Sequence, residues 1–316
     1  MRYLDINREP RPVSVIGLGT TSTIFGPGGD DRVDALIAAF LEAGGNCIDT
    51  AHIYGMGQSE KALGHWLGRS GRRDEVFLVT KGCHPQVDAD GRFGPPRMSP
   101  EAIEGDLSES LERLGTDHVD LYLLHRDDES VEFGPLIETL NAEKEAGRIG
   151  AFGASNWTID RIDAANRYAA DHDLEGFTVN SPGLSLARPT EMFYPGTLFA
   201  DDSTRRWHAD RQFPMLAWST LAAGFAGGTT TEASSVDEVA RVYFSDDNLE
   251  RRRRAEGLGR DRGLTGLQVA LAFVLSQPFP MVALVGPSKV PNLNEALGAL
   301  ELGLTEQEMA YLDLEG

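Results

Sequence analysis

The sequence predicts an α/β fold: a single (β/α)8 TIM barrel with an N-terminal β-hairpin cap and extra helices after strand 7 and at the C-terminus. Short apolar strand-like runs alternate with helix-like runs along the chain without a composition break, the pattern of a parallel sheet wound by right-handed crossovers. About eight such units fall within roughly 250 core residues, the size of a closed barrel. Polar residues collect at the predicted carboxyl ends of the strands, the rim on which barrels carry chemistry. No linker interrupts 1–316, so one domain is expected.

Bulk composition narrows the function classes. At 316 residues and 41% hydrophobic, the chain can bury a core of barrel size. No apolar run approaches the length of a membrane span, and Met1-Arg2-Tyr3-Leu4-Asp5 lacks the apolar core of a signal peptide. A cytoplasmic protein with no membrane partner is expected. Cys47 and Cys83 supply neither a disulfide framework nor a metal cluster, so no metal is expected. The net charge of −20 argues against a nucleic-acid partner, because phosphate binding needs a basic face. Lys61, Lys81, Lys144 and Lys289 are the only lysines; acid excess with so few lysines suits simple solubility or a salt-rich cytoplasm. The sequence carries no signal for oligomeric state.

The elements follow in order. Arg2 to Asn7 and Arg11 to Gly19 read as short strands around a Pro-containing turn, and Val13 to Thr20 runs from strand into a glycine-rich loop. Asp31 to Ala43 carries Val33, Leu36, Ile37, Phe40 and Leu41 at amphipathic-helix spacing, stopped by Gly44-Gly45. Cys47-Ile48 ends in Asp49, Tyr54 follows in a glycine-punctuated loop, and Ser59 is expected to cap a helix from Glu60 to Leu67. Strand Glu75 to Thr80 leads to Lys81; Ser99-Pro100 caps a helix with Ile103, Leu107, Leu111 and Leu114 on one face. Strand Val119 to Leu124 ends at His125. A helix from about Pro135 to Ala146 precedes strand Ile149 to Gly153, which runs into Ser155-Asn156. Thr158 caps the next helix, and strand Phe177 to Val179 ends at Asn180-Ser181. An irregular stretch then leads to strand Pro214 to Trp218. Leu249 to Arg262 is a basic helix whose arginines are expected to form a solvated face or to pair with nearby acids, Gly266 to Leu275 an apolar helix, and Met281 to Val285 the last strand. A helix follows from about Asn292, and Thr305 with Glu308 forms a capping box on a short final helix.

Asp49, Lys81 and His125 end successive strands, with Tyr54 just after one of them, so a barrel would bring all four to one mouth. The chemistry of that set is specific. Tyrosine's ordinary pKa near 10 makes it a weak acid at neutral pH, and a neighbouring ammonium lowers it. A buried lysine needs a carboxylate, which Asp49 supplies. His125 would donate a hydrogen bond that orients a substrate oxygen.

These residues resemble the aldo-keto reductase family. The match comprises Asp49-x-Ala51-x-x-Tyr54-Gly55 with Gly57-x-Ser59-Glu60, Thr80-Lys81 and Asp120 to His125. Gly153 to Asn156, Trp218-Ser219-x-Leu221 and Gly286-x-Ser288-Lys289 extend it over nearly the whole chain. The resemblance implies reversible hydride transfer between NADPH, with NADH open, and a small-molecule aldehyde or ketone. It makes Tyr54 the general acid tuned by Lys81 and Asp49, with His125 orienting the carbonyl. It also assigns Gly19, Thr20 and Thr21 to the nicotinamide ribose and Ser155 and Asn156 to the carboxamide. Trp218 would stack on the nicotinamide, and Ser219 and Leu221 would meet the pyrophosphate. Gly286, Ser288, Lys289, Asn292 and Glu295 would hold the adenosine and its 2′-phosphate, a role that free N–H groups at a helix start also suit.

Two positions depart from the family pattern. Ser181 stands where a carboxamide-binding glutamine is usual, and a bridging water is expected to replace the direct bond. Ala296 stands where an adenine-touching asparagine is common. Two rival readings stay open: a cofactor-sensing regulatory subunit with slow reductase activity, and a phosphate-binding barrel isomerase. Phe25, Ile53, His84, Phe93, Trp157 and Trp207 are the candidates for lining a substrate pocket, and Cys83 is expected to be a buried thiol.

Overall fold

The alternation seen in the sequence closes on itself. The computed structural model describes residues 1–6, 11–21, 24–88, 90–228 and 238–315. A two-residue strand β1, Tyr3–Leu4, pairs antiparallel with β2, Val13–Ser14, and forms the expected hairpin cap. The expected end of its first strand at Asn7 and part of its turn lie outside the described residues. The barrel strands are β3 (Ile16–Gly19), β4 (Cys47–Asp49), β5 (Phe77–Gly82), β6 (Val119–Leu124), β7 (Ile149–Ser155), β8 (Asn180–Ser181), β9 (Met215–Ala217) and β10 (Met281–Val285). They run parallel in chain order, and β10 pairs with β3 to close the ring.

Strand side chains alternate between two cores. Cys47, Phe77, Val79, Leu121, Leu123, Ala151, Val179, Leu216, Val282 and Leu284 form one cluster, the filling of the barrel. Ile48, Leu78, Tyr122, Leu124, Phe152 and Ala154 belong to the other, which packs against the helices. Continuing the inner rows by two residues reaches Asp49, Lys81, His125 and Ser181, and on β7 a second step, past Gly153, reaches Ser155. The period of two therefore aims these five at the barrel's top layer.

The helices are α1 (Asp30–Glu42), α2 (Gln58–Ser70), α3 (Pro100–Leu114), α4 (Phe133–Glu145), α5 (Ile159–Asp171), α6 (Asp202–Arg211), α7 (Glu238–Tyr243), α8 (Asp246–Arg262), α9 (Gly266–Leu275), α10 (Val290–Leu297) and α11 (Glu306–Leu312). Ser99 and Thr158 cap α3 and α5 by accepting from the backbone N–H groups of Ala102 and Arg161, as expected. Thr305 and Glu308 form the capping box of α11, and α9 opens with a second box from Thr265 and Gln268. The additional helices α7 and α8 follow β9, and α11 ends the chain's described part.

The strand expected over Phe177 to Val179 forms instead at β8, Asn180–Ser181, and two further expectations are corrected. Ser59 does not cap α2: the helix starts two residues earlier than expected, at Gln58 behind Gly57, and the Ser59 hydroxyl donates to the Thr20 carbonyl at 3.0 Å. It ties the second βα loop to the first. The irregular stretch before β9 contains α6, whose sequence is polar apart from buried Trp207 and His208 and so shows no apolar stripe.

Candidate active site

The loop after β4 is built to return a side chain over the barrel mouth. Thr50 and His52 donate backbone N–H bonds to the carbonyls of Val79 and Lys81, both at 2.9 Å, extending the sheet beyond Asp49. A tight turn over Tyr54–Gly57 follows, with Gly55, Met56 and Gly57 in left-handed backbone at φ of 56°, 55° and 83°. A Cβ on Gly57 would come within 2.9 Å of the Arg113 guanidinium, so glycine serves both the φ and the close approach.

That guanidinium braces the loop. Arg113 on α3 donates to the His52 carbonyl and to Glu60 Oε2, each at 3.1 Å, and to Glu109 at 2.6 Å. Glu60 is wholly buried and also accepts from the Thr80 hydroxyl at 2.7 Å. Removing Arg113 would strand a buried carboxylate, at a cost of about 3–5 kcal/mol.

Asp49, Tyr54, Lys81 and His125 converge. Lys81 Nζ donates to Asp49 Oδ2 at 2.7 Å, to the Thr50 carbonyl at 3.0 Å and to Tyr54 Oη at 3.1 Å. The Tyr54 and His125 rings meet edge to face at 5.6 Å between centroids. Burial alone would pull the Lys81 pKa down, but the Asp49 carboxylate and Tyr54 outweigh it and hold the ammonium above its ordinary range. Burial pushes the Asp49 carboxyl up, with Lys81 drawing it back. Tyr54 departs from the expectation of an acidified phenol. Burial raises its pKa, and Lys81 offsets this only in part, so the phenol keeps its proton at neutral pH. Burial, with help from Arg126 and Lys81, drives His125 well below its usual range, leaving a neutral imidazole.

Two cavities meet at this cluster. The larger, of about 540 Å³, is lined by Gly19, Thr21, Asp49, Tyr54, Trp218, Ser219, Leu221, Gly286, Asn292 and Glu295 among others. The smaller, of about 360 Å³, is lined by Thr21, Tyr54, Lys81, His125, Ser155, Asn156, Trp218 and Ser219 among others. Thr21, Tyr54, Trp218, Ser219 and Ala223 belong to both, so the two form one long cleft with Tyr54 at its waist.

Most residues expected at a dinucleotide lie along this cleft, but four do not line it. Thr20 and Ser181 are buried behind it, and the hydroxyl of each lacks a partner in the structure. The Ser181 carbonyl instead accepts from Ser155 Oγ at 2.9 Å and Trp218 Nε1 at 3.2 Å, fixing the two residues in front of it. Ser288 and the exposed Lys289 stand between two lining residues, Pro287 and Asn292. Of the pocket candidates, Phe25, Trp157 and Trp207 are packing residues away from both cavities. Trp157 donates to the Arg126 carbonyl and Trp207 to Asp163. His84 packs against His125 at 4.9 Å and against Phe93 at 5.3 Å, and neither His84, Phe93 nor Ile53 lines either cavity. Cys83 is buried, as expected.

Arg126, Phe193, Tyr194 and Thr197 in the smaller cavity, and Ala223, Gly224, Gly227 and Leu267 in the larger, are lining residues not expected from the sequence. Arg126 was detectable in principle, as the neighbour of His125. The rest come from the segments after β8 and β9, whose return to the mouth no local pattern encodes.

An extended dinucleotide fits this cleft. Its wall at Ala223, Gly224, Gly227 and Gly286 is free of bulky side chains, which lets backbone approach a ligand closely. Ser219, Ala223 and Gly224 are left-handed, at φ of 54°, 51° and 93°, the kind of backbone that forms anion-binding concavities. Among the described residues no cluster of His, Cys, Asp and Glu is suited to a metal ion, and no helix is long and apolar enough to cross a membrane.

Known proteins match this chain along nearly its whole length. The model of the aldo/keto reductase family matches residues 15–314. An uncharacterized oxidoreductase of Bacillus subtilis, YrpG, is 28% identical over 99% of this chain and 95% of its own. The aldo-keto reductase YhdN of the same organism is 29% identical over 95% of this chain and 88% of its own. A fission-yeast protein named aldo-keto reductase yakc [NADP(+)] is 26% identical over 93% of this chain and 86% of its own.

Proposed function

The chain belongs to the aldo/keto reductase family and is an NAD(P)H-dependent oxidoreductase; on that premise we propose that it reduces an aldehyde or ketone with NADPH, Tyr54 giving the proton. The observation that carries the reading is the 3.1 Å bond from Lys81 Nζ to Tyr54 Oη at the waist of the cleft. When bound, a reduced nicotinamide supplies the hydride.

The residues have separable roles in this reading. Tyr54, kept protonated by burial, donates to the oxygen of the substrate as negative charge builds there. Lys81 then stabilises the phenolate left behind, and Asp49 holds the ammonium in place and charged. His125, neutral, donates a hydrogen bond to the same substrate oxygen without competing for its proton. Ser155 and Asn156 orient the carboxamide, and Trp218 offers a flat face to the ring. The Trp218 indole is set edge-on against Phe199 at 4.8 Å, which limits its rotation.

Gly19, Thr21, Ser219 and Leu221 flank the ribose and pyrophosphate. Thr20 and Ser181 act from behind the wall through the bonds already described. Gly286, Ser288, Asn292 and Glu295 hold the adenosine at the start of α10. Preference for NADPH over NADH rests on Lys289, the N-cap residue of that helix, and is supported by the NADP(+) in the yeast relative's name.

The test is a screen of aldehydes and ketones followed by NADPH absorbance, with NADH run alongside. Turnover of some carbonyl with NADPH ahead of NADH is expected. Tight NADPH binding with no turnover across the panel would point to a cofactor sensor instead.

A further inference from the structure

We infer that Arg126 is an anion anchor in the substrate cavity, and that the carbonyl compound reduced here carries a carboxylate. The inference rests on the carbonyl-reduction reading above and names the substrate class within it.

Arg126 directly follows β6 and His125, and is only 8% exposed. Its Nη1 donates to the His125 carbonyl at 2.9 Å, while its buried Nε has no partner. Among the described residues no carboxylate pairs with it. Other poorly exposed arginines behave differently: Arg73 pairs with Asp120, Arg113 with Glu60, Arg161 with Asp127 and Arg205 with Asp313. In a chain of net charge −20, a buried guanidinium without an acid is out of keeping with the rest of the molecule. Withdrawing that charge from water is costly unless a counter-charge arrives.

The position says where the counter-charge would sit. Arg126 lines the smaller cavity together with Tyr54, Lys81 and His125, but not the larger one assigned to the dinucleotide phosphates. Lys81 is already neutralised by Asp49, so Arg126 is the uncompensated cation of this cavity among the described residues. The segment after β8 folds over it: Tyr194 and Thr197 line the same cavity, and a Cβ on Gly196 would lie 3.4 Å from Arg126 Cδ. Thr197 Oγ1 closes that turn on the Tyr194 carbonyl at 2.7 Å, and Leu198 N donates to Asn156 Oδ1 at 3.0 Å. A planar guanidinium matches a carboxylate bidentately, and the single positive charge here is balanced by the single negative charge of that group. Burial pushes the Arg126 pKa down to about 10, the response of a cation whose surroundings lack a negative partner.

The test compares short oxo acids, each paired with its methyl ester, as substrates with NADPH. In the unaltered protein the acid should exceed its ester in kcat/KM by on the order of 100-fold. Arg126→Met should collapse that ratio toward one, mainly through the KM of the acid, and Arg126→Lys should restore part of it. Equal use of acid and ester by the unaltered protein overturns the inference. So does an Arg126→Met protein that slows both alike, which would make Arg126 only a support for the His125 backbone. A second measurement does not depend on turnover: calorimetric binding of the corresponding hydroxy acids, with and without NADP(+). Arg126→Met should weaken that binding at least about tenfold, and unchanged affinity rejects the anchor. If no carbonyl is reduced, the carbonyl-reduction reading fails and this binding measurement alone decides the role of Arg126.

Discussion

Lys81 Nζ lies 3.1 Å from the Tyr54 oxygen and 4.7 Å from the centre of the same ring, so one ammonium touches both the proton-bearing atom and the π face. The two residues come from different βα units and meet only because β4 and β5 are neighbours in the ring. This pairing sets what each substitution should do.

Tyr54→Phe removes the proton donor and little else. NADPH should still quench tryptophan fluorescence with near-normal affinity, while kcat falls by roughly 10²–10⁴-fold. A Phe variant that keeps ordinary turnover would remove Tyr54 from the chemistry.

Lys81→Met breaks the buried pair and leaves the Asp49 carboxylate alone in the barrel mouth. Stability should drop by about 3–5 kcal/mol, read from the denaturant midpoint. The double variant with Asp49→Leu should regain most of that stability yet remain nearly inactive. Recovery of activity in the double variant would separate the pair from catalysis.

The pH profile follows from the two shifted groups. Burial raises Tyr54, so its protonated form persists through neutrality and is lost only as pH climbs past the ordinary value of 10.0. Carbonyl reduction should therefore be level across neutral pH and fall on the alkaline side, with alcohol oxidation moving the opposite way. His125 is depressed well below 6.5, so no inflection from it should appear near that pH. A kcat that halves between pH 6 and pH 7 would contradict a neutral His125 (about one unit around the unshifted pKa of histidine).

Lys289→Met should raise the KM for NADPH by roughly fivefold to tenfold and leave the KM for NADH nearly unchanged. The side chain is exposed, so the effect should shrink as salt is added. Equal effects on both nucleotides would place the 2′-phosphate elsewhere.

Much of this was legible in the chain, for reasons specific to the elements. Met281–Val285 is a continuous apolar run buried on both faces, Val119–Leu124 is apolar but for the half-buried Asp120, and the bounds of both match the expectation. Inner and outer rows alternate strictly, so the placement of Asp49, Lys81 and His125 on one rim followed from the period of two. Helix α6 was hidden because its packing depends on two residues, Trp207 and His208, against a polar remainder. Ser59 has the composition of a cap, yet its hydroxyl is taken by Thr20, a partner 39 positions away. That Arg126 lacks a carboxylate cannot be read from its neighbours in sequence, since Asp127 and Asp128 follow it. The side chain of Asp127 is turned to Arg161, and the Asp128 carboxylate accepts from Ser130.

The cleft spans the join between the earliest and latest strands of the ring, with Gly19 at the end of β3 and Val285 at the end of β10 on its wall. A ribosome-bound chain halted before its final strand therefore has one lip of the groove and not the other. NADPH should protect only released protein from protease, and stalled chains ending ahead of Met281 should gain nothing from it. Maturation of the binding site is thus set by the completion of synthesis, however early the N-terminal units acquire their own shape.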